Sequence, residues 1–379
     1  MTIATPLSVS GRWILDKNGR RVKLAGVNWA GAMQDQMVPG GLDYQPRGYI
    51  ADTLASWGFN SVRLPFAALT VTTKAPVPAS LISANPDLAG SAPWQVYQAT
   101  AAALTAAGIM VIPNYHLLWP GWCCADDDGN GLWWNANHPS SEFTNNWLTV
   151  AAAFAGDPLV IGYDLKNEPR NATIGGTLYK PSWGDGNGDT DFRQLYTNTA
   201  TRIQAADPAA LFFCEGLSYA GDLTQAGAHP VTPNGTGKVA YSMHDYSWYH
   251  NVAAGQPPQT QAAYETAMDA KGGYLLTQGR APVWVGEFGC DNDKPATFAG
   301  GGWFGNFAAW AKARDIDWCW WQMDGTMRKG TTPQTNVLQM ADGDRAGFGL
   351  FASDWSGPAN RAQLEALQAL MPATAGPGI

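Results

Sequence analysis

Two glutamates in this sequence follow apolar runs, and each is followed by residues that turn the chain. Glu168 ends the run in Ile161–Pro169 (IGYDLKNEP), and Glu287 does so in Pro282–Gly289 (PVWVGEFG). The 119 residues from Glu168 to Glu287 correspond to three strand–helix units, which would place both at one opening on strands four and seven. Two facing carboxyl groups, one protonated and one ionised, are what cleavage of a glycosidic bond requires. Two acids held in structural salt bridges are the alternative.

Eight short apolar runs predict the strands that position these acids, and longer Ala-rich amphipathic segments between them predict helices. Strands that are hydrophobic throughout are typical of a parallel sheet buried on both faces, and eight such strands predict a (β/α)₈ barrel. The runs are Val22–Trp29, Ser61–Phe66, Met110–His116, Leu159–Leu165, Ala210–Cys214, Val239–His244, Pro282–Glu287 and Ile316–Gln322. The helical segments are Arg47–Trp57, Trp94–Ala107, Phe143–Phe154, Phe192–Ala206, Gln259–Leu276, Trp303–Ala313 and Ala362–Met371.

Polar side chains stand where these runs end, at the face on which a barrel carries its active site. They are Asn28, Arg63, His116, Asn167, Glu168, Glu215, His244, Tyr246, Glu287, Gln322 and Asp324. An open doubly wound sheet is the alternative, but no Gly-x-Gly-x-x-Gly follows the first run. We therefore predict the α/β class, with residues 1–379 forming one barrel domain whose long loops lie at its C-terminal face.

Six short motifs, in order at the predicted strand ends, resemble glycoside hydrolase family 5, retaining enzymes of clan A that include many endo-β-1,4-glucanases. The resemblance extends roughly from Gly11 to Trp355. The motifs are Val62-Arg63-Leu64-Pro65, Asn114-Tyr115-His116, Asn167-Glu168-Pro169, Ser242-Met243-His244-Asp245-Tyr246, Gly286-Glu287-Phe288-Gly289 and Trp318-Cys319-Trp320-Trp321. The resemblance implies that Glu287 is the nucleophile and Glu168 the acid/base.

The same resemblance implies supporting roles for the residues around this pair. Arg63 would hold Glu287 ionised, and Tyr246 would help to orient it. Asn167 would bind the sugar 2-hydroxyl. The remaining implied contacts are a Trp321 platform at subsite −1, a sugar-stacking Trp29, and orienting or sugar-binding roles for His116 and His244.

Eighteen tryptophans are a large excess for 379 residues, and many follow predicted strand ends. Because pyranose rings present apolar C–H faces, a cleft lined by tryptophan suits an oligosaccharide or polysaccharide. Ordinary loop packing is the alternative for any single ring. The candidate aromatic subsites are Trp119, Trp122, Trp134 and Trp183, within a wider group that includes Trp133, Trp248 and Tyr249.

The loop after the third run combines cysteines with acidic residues. Cys123 and Cys124 are adjacent, and a disulfide between them is one alternative, whereas Cys214 and Cys319 lie in apolar runs that predict burial. Two segments partly match a calcium loop, but the first has Asn137 in place of the final glutamate, and ordinary turn chemistry is favoured. The matching residues are Asp126, Asp128, Asn130 and Gly131, and then Asp185, Asn187 and Asp189. We expect no catalytic metal or cofactor.

Composition narrows the class of partner. The chain is 45% hydrophobic and 14% charged, with a net charge of −8, so it lacks the basic patches that nucleic acid requires. Its apolar runs are shorter than a membrane helix of ~20 residues. Met1–Ser10 lacks the features of a signal peptide, so we expect either a secreted or periplasmic protein in its mature form or an intracellular one. We expect a monomer.

The sequence thus favours a retaining endo-β-1,4-glucanase that cleaves a β-linked oligosaccharide or polysaccharide by double displacement. A β-mannanase, a glycosylceramide-cleaving enzyme, or a β-glucosidase or transglycosylase would keep the same mechanism and change the substrate. A carbohydrate-binding protein without catalysis is the non-enzyme alternative. The presence of both carboxylates argues against it.

Overall fold

The computed structural model describes residues 3–126, 128–234, 237–250, 259–292, 302–332 and 337–371. Eight parallel strands close into a barrel in the order β8-β1-β2-β3-β4-β5-β6-β7. Each strand lies within or overlaps one of the eight apolar runs, so the predicted barrel is confirmed. The strands are β1 Ala25–Asn28, β2 Ser61–Ala67, β3 Met110–Leu117, β4 Gly162–Asp164, β5 Leu211–Glu215, β6 Val239–Asp245, β7 Val283–Phe288 and β8 Asp317–Trp320.

Helices pack around the barrel at all seven predicted positions. They are α1 Arg47–Ser56, α2 Pro93–Ala106, α3 Ser140–Phe154, α4 Phe192–Ala206, α5 Gln261–Met268, α6 Gly302–Arg314 and α7 Arg361–Gln368. Between β5 and β6 the described residues include one short helical turn, Leu217–Ala220, in which Ser218, Tyr219 and Ala220 have positive φ. In the part of the chain that the structure describes, no helix combines the length and apolarity needed to cross a bilayer.

Shorter elements connect these parts. Ala68–Thr72 and Tyr274–Thr277 are short α-helices, Asp269–Gly273 is a π-helical turn after α5, and three turns are 3₁₀: Ala79–Ile82, Pro86–Leu88 and Ser247–His250. Three two-stranded antiparallel ribbons complete the fold: Ser8–Ser10 with Trp13–Leu15, Ala172–Ile174 with Thr177–Tyr179, and Gly330–Thr331 with Leu338–Met340.

The interior is closed at one end and open at the other. Leu7 and Ile14, beside and within the N-terminal ribbon, belong to one buried cluster with Ile112, Phe213 and Trp284 from the barrel strands. A larger buried cluster joins the barrel strands to the surrounding helices. Because apolar side chains fill one end of the barrel, the polar residues at the carboxyl ends of the strands are left to form a site at the other.

Candidate active site

A cavity of about 620 Å³ opens at the carboxyl ends of the barrel strands and contains both glutamates. Glu287 lies on β7, and Glu168 follows β4, as the sequence predicted. The residues that line the cavity are Met33, His116, Trp122, Cys123, Cys124, Glu168, Tyr219, Tyr246, Trp248, Tyr249, Glu287, Asp291, Trp321, Gln322, Met327, Met340, Arg345, Gly347 and Phe348.

Arg63, fully buried on β2, uses all of its hydrogen-bond donors at the base of this cavity. Its Nη1 donates to Glu287 Oε1 at 2.5 Å, and its Nε donates to Asp164 Oδ2 at 2.6 Å. The five acceptors are Asn28, Asp164, Asn167, Glu215 and Glu287. Three of them are carboxylates, so one guanidinium organises the acidic groups at the base of the cavity.

Glu287 is held by two donors on opposite sides of its carboxylate. Besides the contact with Arg63, Tyr246 donates to Glu287 Oε2 at 2.9 Å. Burial raises the pKa of Glu287, and the positive charge of Arg63 opposes that rise. Burial also lowers the pKa of His244 to about 4, so Arg63 is the cation that remains beside Glu287 at neutral pH.

Gly289, two residues after Glu287, is required by close packing of the backbone. A Cβ atom on Gly289 would lie 2.2 Å from the carbonyl oxygen of Trp321. The chain leaving β7 can therefore approach the end of β8 only with glycine at this position. This approach brings Trp321 to the same cavity as Glu287.

Glu168 has a backbone conformation that residues other than glycine rarely adopt. Its φ of 44° is in the left-handed region, and Pro169 follows it. Its backbone N–H donates to Glu215 Oε2 at 2.7 Å, while Arg63 donates to Glu215 Oε1 at 2.9 Å. The buried carboxylate of Glu215 therefore fixes the turn that presents Glu168.

Two cations hold the backbone on either side of Glu168. Lys166 Nζ donates to the carbonyl of Asn167 at 2.7 Å. Arg170 Nη1 donates to the carbonyl of Glu168 at 2.9 Å, and Nη2 forms a buried ion pair with Asp128 at 2.5 Å. These contacts stabilise the strained turn without a side-chain hydrogen bond from either cation to the Glu168 carboxyl group.

The Glu168 carboxyl group faces uncharged partners. His244 Nδ1 lies 2.9 Å from its Oε1, and the Tyr249 hydroxyl lies 3.4 Å from the same atom. Burial raises the pKa of Glu168 to about 7, although Arg170, Arg63 and Lys166 oppose the rise. A carboxyl group that keeps its proton near neutral pH can serve as a general acid.

The two glutamates lie close enough to act on one bond. One carboxylate oxygen from each and a ring nitrogen of His244 all lie within 4.8 Å of one another. Among the described residues, two groups have donor atoms close enough to share a metal ion. One is this cluster of Glu168, His244 and Glu287, and the other consists of His116, Cys123 and Cys124. In the second cluster the two sulfurs are joined as a disulfide.

The other expected polar residues surround this pair. His116 Nδ1 lies 2.8 Å from Asn114 Oδ1, and its ring stacks on Trp321 with centroids 5.5 Å apart. Burial lowers the pKa of His116 well below its ordinary value, which makes it a neutral hydrogen-bonding group. Asn167 accepts a hydrogen bond from Arg63 on Oδ1 at 2.7 Å.

Comparison with known proteins identifies the family of the chain. The family model for cellulase (glycosyl hydrolase family 5) matches residues 15–326 of the 379. The chain belongs to glycosyl hydrolase family 5. The resemblance predicted from the motifs is thereby confirmed.

Curated relatives cover most of the chain. A glycosyl hydrolase 5 family protein of Chamaecyparis obtusa is 29% identical over 377 residues, which cover 93% of this chain and 63% of that protein. An endoglucanase of Paenibacillus polymyxa is 28% identical over 300 residues, 74% of this chain and 70% of that protein. The chain therefore spans less than two thirds of the Chamaecyparis protein's length.

Solved structures show the same fold. A hyperthermophilic endocellulase of Pyrococcus horikoshii superposes with a TM-score of 0.76 at 24% identity, covering 98% of this chain and all of that one. The catalytic domain of the major endoglucanase of Xanthomonas campestris pv. campestris also gives 0.76, at 22% identity and over 96% and 99% of the two chains.

Of the tryptophans predicted to contact sugar in this family 5 chain, some lie in the cavity wall and others in the buried core. Trp29 is fully buried and donates from Nε1 to the carbonyl of Gly40, so its expected sugar contact is wrong. Trp183 is also buried, packed on Tyr196 and Tyr241, and it is not a subsite either. Trp122 lines the cavity. Both wrong predictions have one cause, because an indole that fills a space beneath a loop follows a strand just as a sugar platform does.

Two further candidate subsites lie outside the cavity wall. Trp119 is exposed and has its ring edge toward His138. Trp134 donates to the carbonyl of Asp189 and packs edge-on against Tyr179. Neither ring lines the cavity that holds the two glutamates.

The acidic segments use their oxygens within the protein. Asp128 accepts from Arg170 and from the backbone N–H of Asn130, and Asn130 Oδ1 accepts from two backbone N–H groups of the same loop. In the second segment, Asp185 accepts from the backbone N–H of Asn187. These contacts are hydrogen bonds of turns, and Asp128 is in addition paired with the guanidinium of Arg170.

The cysteines form two groups, one disulfide-bonded and one with free thiols, and both were among the alternatives of the sequence analysis. Cys123 and Cys124 form a disulfide in the cavity wall. Cys214 and Cys319 are buried free thiols.

Glu215 is the main site residue to which sequence reasoning gave no role. It ends β5, the fifth apolar run, and therefore carried the same signal as Glu168 and Glu287. Trp248 was placed in the wider aromatic group but not among the four candidate subsites, and it lines the cavity and stacks on Tyr246 with centroids 4.4 Å apart. Its position after the sixth run was the available signal.

Proposed function

We propose that this chain is a retaining endo-β-1,4-glucanase that hydrolyses a β-glucan by double displacement. Membership of family 5 supports glycosidase chemistry, and the endoglucanase name of the Paenibacillus relative favours a β-glucan over other substrates. A Pyrococcus horikoshii endocellulase of the same fold forms a complex with cellotetraose. That complex supports a chain of β-linked glucose units as the ligand.

The observation that carries the mechanism is the asymmetric, closely spaced pair of glutamates. Oxygens of Glu168 and Glu287 come within 4.8 Å of each other. This spacing suits the carboxyl separation of ~5–5.5 Å in retaining enzymes, whereas inverting enzymes need ~6.5–9.5 Å to admit a water molecule. Arg63 contacts one member of the pair, Glu287, and thereby favours its ionised form.

In the first step, the Glu287 carboxylate attacks the anomeric carbon while Glu168 gives its proton to the glycosidic oxygen. The bond from the anomeric carbon to that oxygen breaks, and a covalent glycosyl-enzyme forms. In the second step, ionised Glu168 takes a proton from water, and the resulting hydroxide displaces Glu287 from the sugar. Two inversions at one carbon leave the product with the configuration of the substrate.

The surrounding residues take the binding roles implied by the family motifs. Trp321 supports the sugar at subsite −1, Asn167 binds its 2-hydroxyl, and His116 and His244 orient these groups. We place the enzyme outside the cytosol, since a Xanthomonas campestris relative, 30% identical over 210 residues, is named an extracellular endoglucanase. The Cys123–Cys124 disulfide agrees with an oxidising compartment.

The test is proton NMR of the anomer released during the first minutes of hydrolysis of an aryl β-cellobioside. A β-anomer appearing first, followed by mutarotation, is the expected result. An α-anomer appearing first would overturn double displacement. A parallel panel of soluble β-1,4-glucan, β-1,4-mannan and aryl glycosides tests the substrate class. Turnover confined to mannan would refute the glucanase assignment, and no turnover at all would leave a carbohydrate-binding protein.

A further inference from the structure

The Cys123–Cys124 disulfide lies in the cavity wall directly beside Glu168. Both cysteines are half-buried and line the cavity. Cys123 Sγ is 3.8 Å from Glu168 Oε2. Cys123 also packs against a small apolar cluster that includes Met33 and Leu117. The disulfide thus presents sulfur to the cavity and is in contact with hydrocarbon.

The amide group of Asn167 is fixed between this disulfide and Arg63. Its Oδ1 accepts from Arg63, so its Nδ2 must point the other way, where it lies 3.7 Å from Cys123 Sγ and 3.8 Å from Cys124 Sγ. Sulfur is a weak acceptor. The N–H groups of Nδ2 therefore keep most of their hydrogen-bonding capacity for a stronger acceptor, such as a sugar hydroxyl oxygen.

We propose that the Cys123–Cys124 disulfide is a positioning element of the sugar site, which aims the Asn167 amide and forms the uncharged wall beside the pyranose ring at Glu168. This inference rests on the proposed function for the identity of the ligand. A disulfide suits the role because it has no hydrogen to donate and no charge, and its two sulfurs are held together by a covalent bond.

Reduction would remove each of these properties. A dithiol such as dithiothreitol supplies two electrons and two protons, breaks the S–S bond to give two thiols, and becomes a cyclic disulfide itself. The two sulfurs must then separate from bonding distance to van der Waals contact, which displaces them from the Asn167 amide. Each sulfur also gains an S–H donor, and a donor aimed at ionised Glu168 favours that form.

The first experiment compares hydrolysis of an aryl β-cellobioside before and after treatment with dithiothreitol. We expect KM to rise roughly fivefold, the size of one lost neutral hydrogen bond, and the alkaline limb of the pH–rate profile to move to lower pH. Removal of the reductant and reoxidation should restore both. Alkylation with iodoacetamide, read by mass spectrometry, should label two more thiols after reduction than before. Unchanged kinetics after confirmed reduction, or both cysteines already labelled beforehand, would overturn the proposal.

The matched variant is Cys123→Ala/Cys124→Ala. It should have the raised KM without reductant and should not respond to dithiothreitol, which excludes the other three cysteines as the cause. A response equal to that of the wild type would contradict the proposal. If this variant fails to fold, the reduction experiment on the wild type still decides.

A double-mutant cycle tests the route through Asn167. The cysteine changes should raise KM much less in an Asn167→Ala background than in the wild type, because the amide that they aim is gone. Full additivity would refute positioning through Asn167. Failure of the proposed function is distinguishable, since untreated wild type would then not hydrolyse the aryl β-cellobioside. In that case, calorimetric titration of cellotetraose with and without dithiothreitol provides the same comparison for binding.

Discussion

The carboxyl ends of β4 and β7 carry the same side chain and give it opposite surroundings. At β7, Glu287 accepts hydrogen bonds from Arg63 at 2.5 Å and Tyr246 at 2.9 Å. After β4, Glu168 meets His244 and Tyr249, while the nearby cations bind its backbone or stand further off. All five donors of Arg63 are used by other groups, so none is left for the Glu168 carboxyl group.

This difference shows how one barrel can run acid and nucleophile chemistry with two glutamates. Burial alone raises the pKa of both carboxyl groups. What separates them is the direct contact of a permanent cation with one and of a neutral imidazole with the other. The division of roles therefore depends on where the Arg63 donors point, and it can be tested one group at a time.

The largest effect is expected from Glu287→Ala. Without the nucleophile no glycosyl-enzyme can form, so activity should fall on natural and activated substrates alike, by more than the ~10⁴-fold upper range for a missing general acid. Azide should restore turnover with an inverted product, which NMR of the glycosyl azide would identify. A retained azide product from this variant would mean that the two roles are reversed.

Glu168→Ala should have an effect that depends on the leaving group. A poor leaving group needs the proton, and we expect a loss of ~10²–10⁴-fold with such substrates. A dinitrophenyl glycoside needs little protonation, so its first step should survive and the glycosyl-enzyme should accumulate, visible by intact-protein mass spectrometry. Azide should then release a product of retained configuration. Equal losses for both glutamate variants on every substrate would contradict this division of labour.

The pH dependence tests the same residue without mutation. Because the pKa of Glu168 is raised to about 7 and its protonated form is the acid, kcat/KM on a poor leaving group should fall as the pH rises through about 7. Well above that pH the fall should reach about tenfold per unit. Burial lowers the pKa of Lys166 to about 7 as well. A dinitrophenyl glycoside separates the two groups, since loss of this limb with that substrate assigns it to Glu168, and its persistence would assign it elsewhere.

Glu215→Gln should disturb both glutamates through their shared partner. An amide cannot accept from both Arg63 and the backbone N–H of Glu168, so one buried donor loses its acceptor. We expect the free energy of unfolding, measured with urea, to fall by ~1–3 kcal/mol. The activation barrier should rise by a similar amount, which lowers kcat roughly tenfold.

Asp207→Asn is the matched control for Glu215→Gln. It makes the same carboxyl-to-amide change at a buried acid that accepts from the hydroxyl of Tyr163, outside the cavity. It should lower stability and leave kcat and the pH profile unchanged. If Glu215→Gln behaves in the same way, Glu215 has a purely structural role.

The barrel and its catalytic face could be predicted from sequence because they rest on local patterns. Each strand is a buried apolar run, and a charged residue at its end, such as Glu168, must have a partner or a function. The partners themselves come from distant strands. Arg63 and Glu287 are 224 residues apart, and nothing local to either specifies which carboxylates share the guanidinium. Glu215 was therefore visible as a strand end but had no assignable role.

Tryptophans were harder to assign because the same residue type serves core and cleft. Trp29 and Trp248 both follow barrel strands, yet the first is fully buried and the second is 55% exposed. The difference lies in the course of the loops, which hydrophobic periodicity does not encode. Exposure within the cavity, rather than position after a strand, identifies a tryptophan able to contact sugar.

Trp248→Ala tests that criterion and should have the smallest effect. Trp248 stacks on Tyr246, the donor to Glu287, and lines the cavity, where an apolar sugar face can pack on an exposed indole. Loss of one aromatic contact of ~0.5–1.5 kcal/mol should raise KM on cello-oligosaccharides about 2–12-fold, with kcat little changed. Trp119→Ala is the control, because Trp119 is 44% exposed but lies outside the cavity wall, and it should leave KM unaltered. Equal shifts in both variants would show that exposure alone, and not a place on the Glu287 side of the cavity, determines the sugar contact.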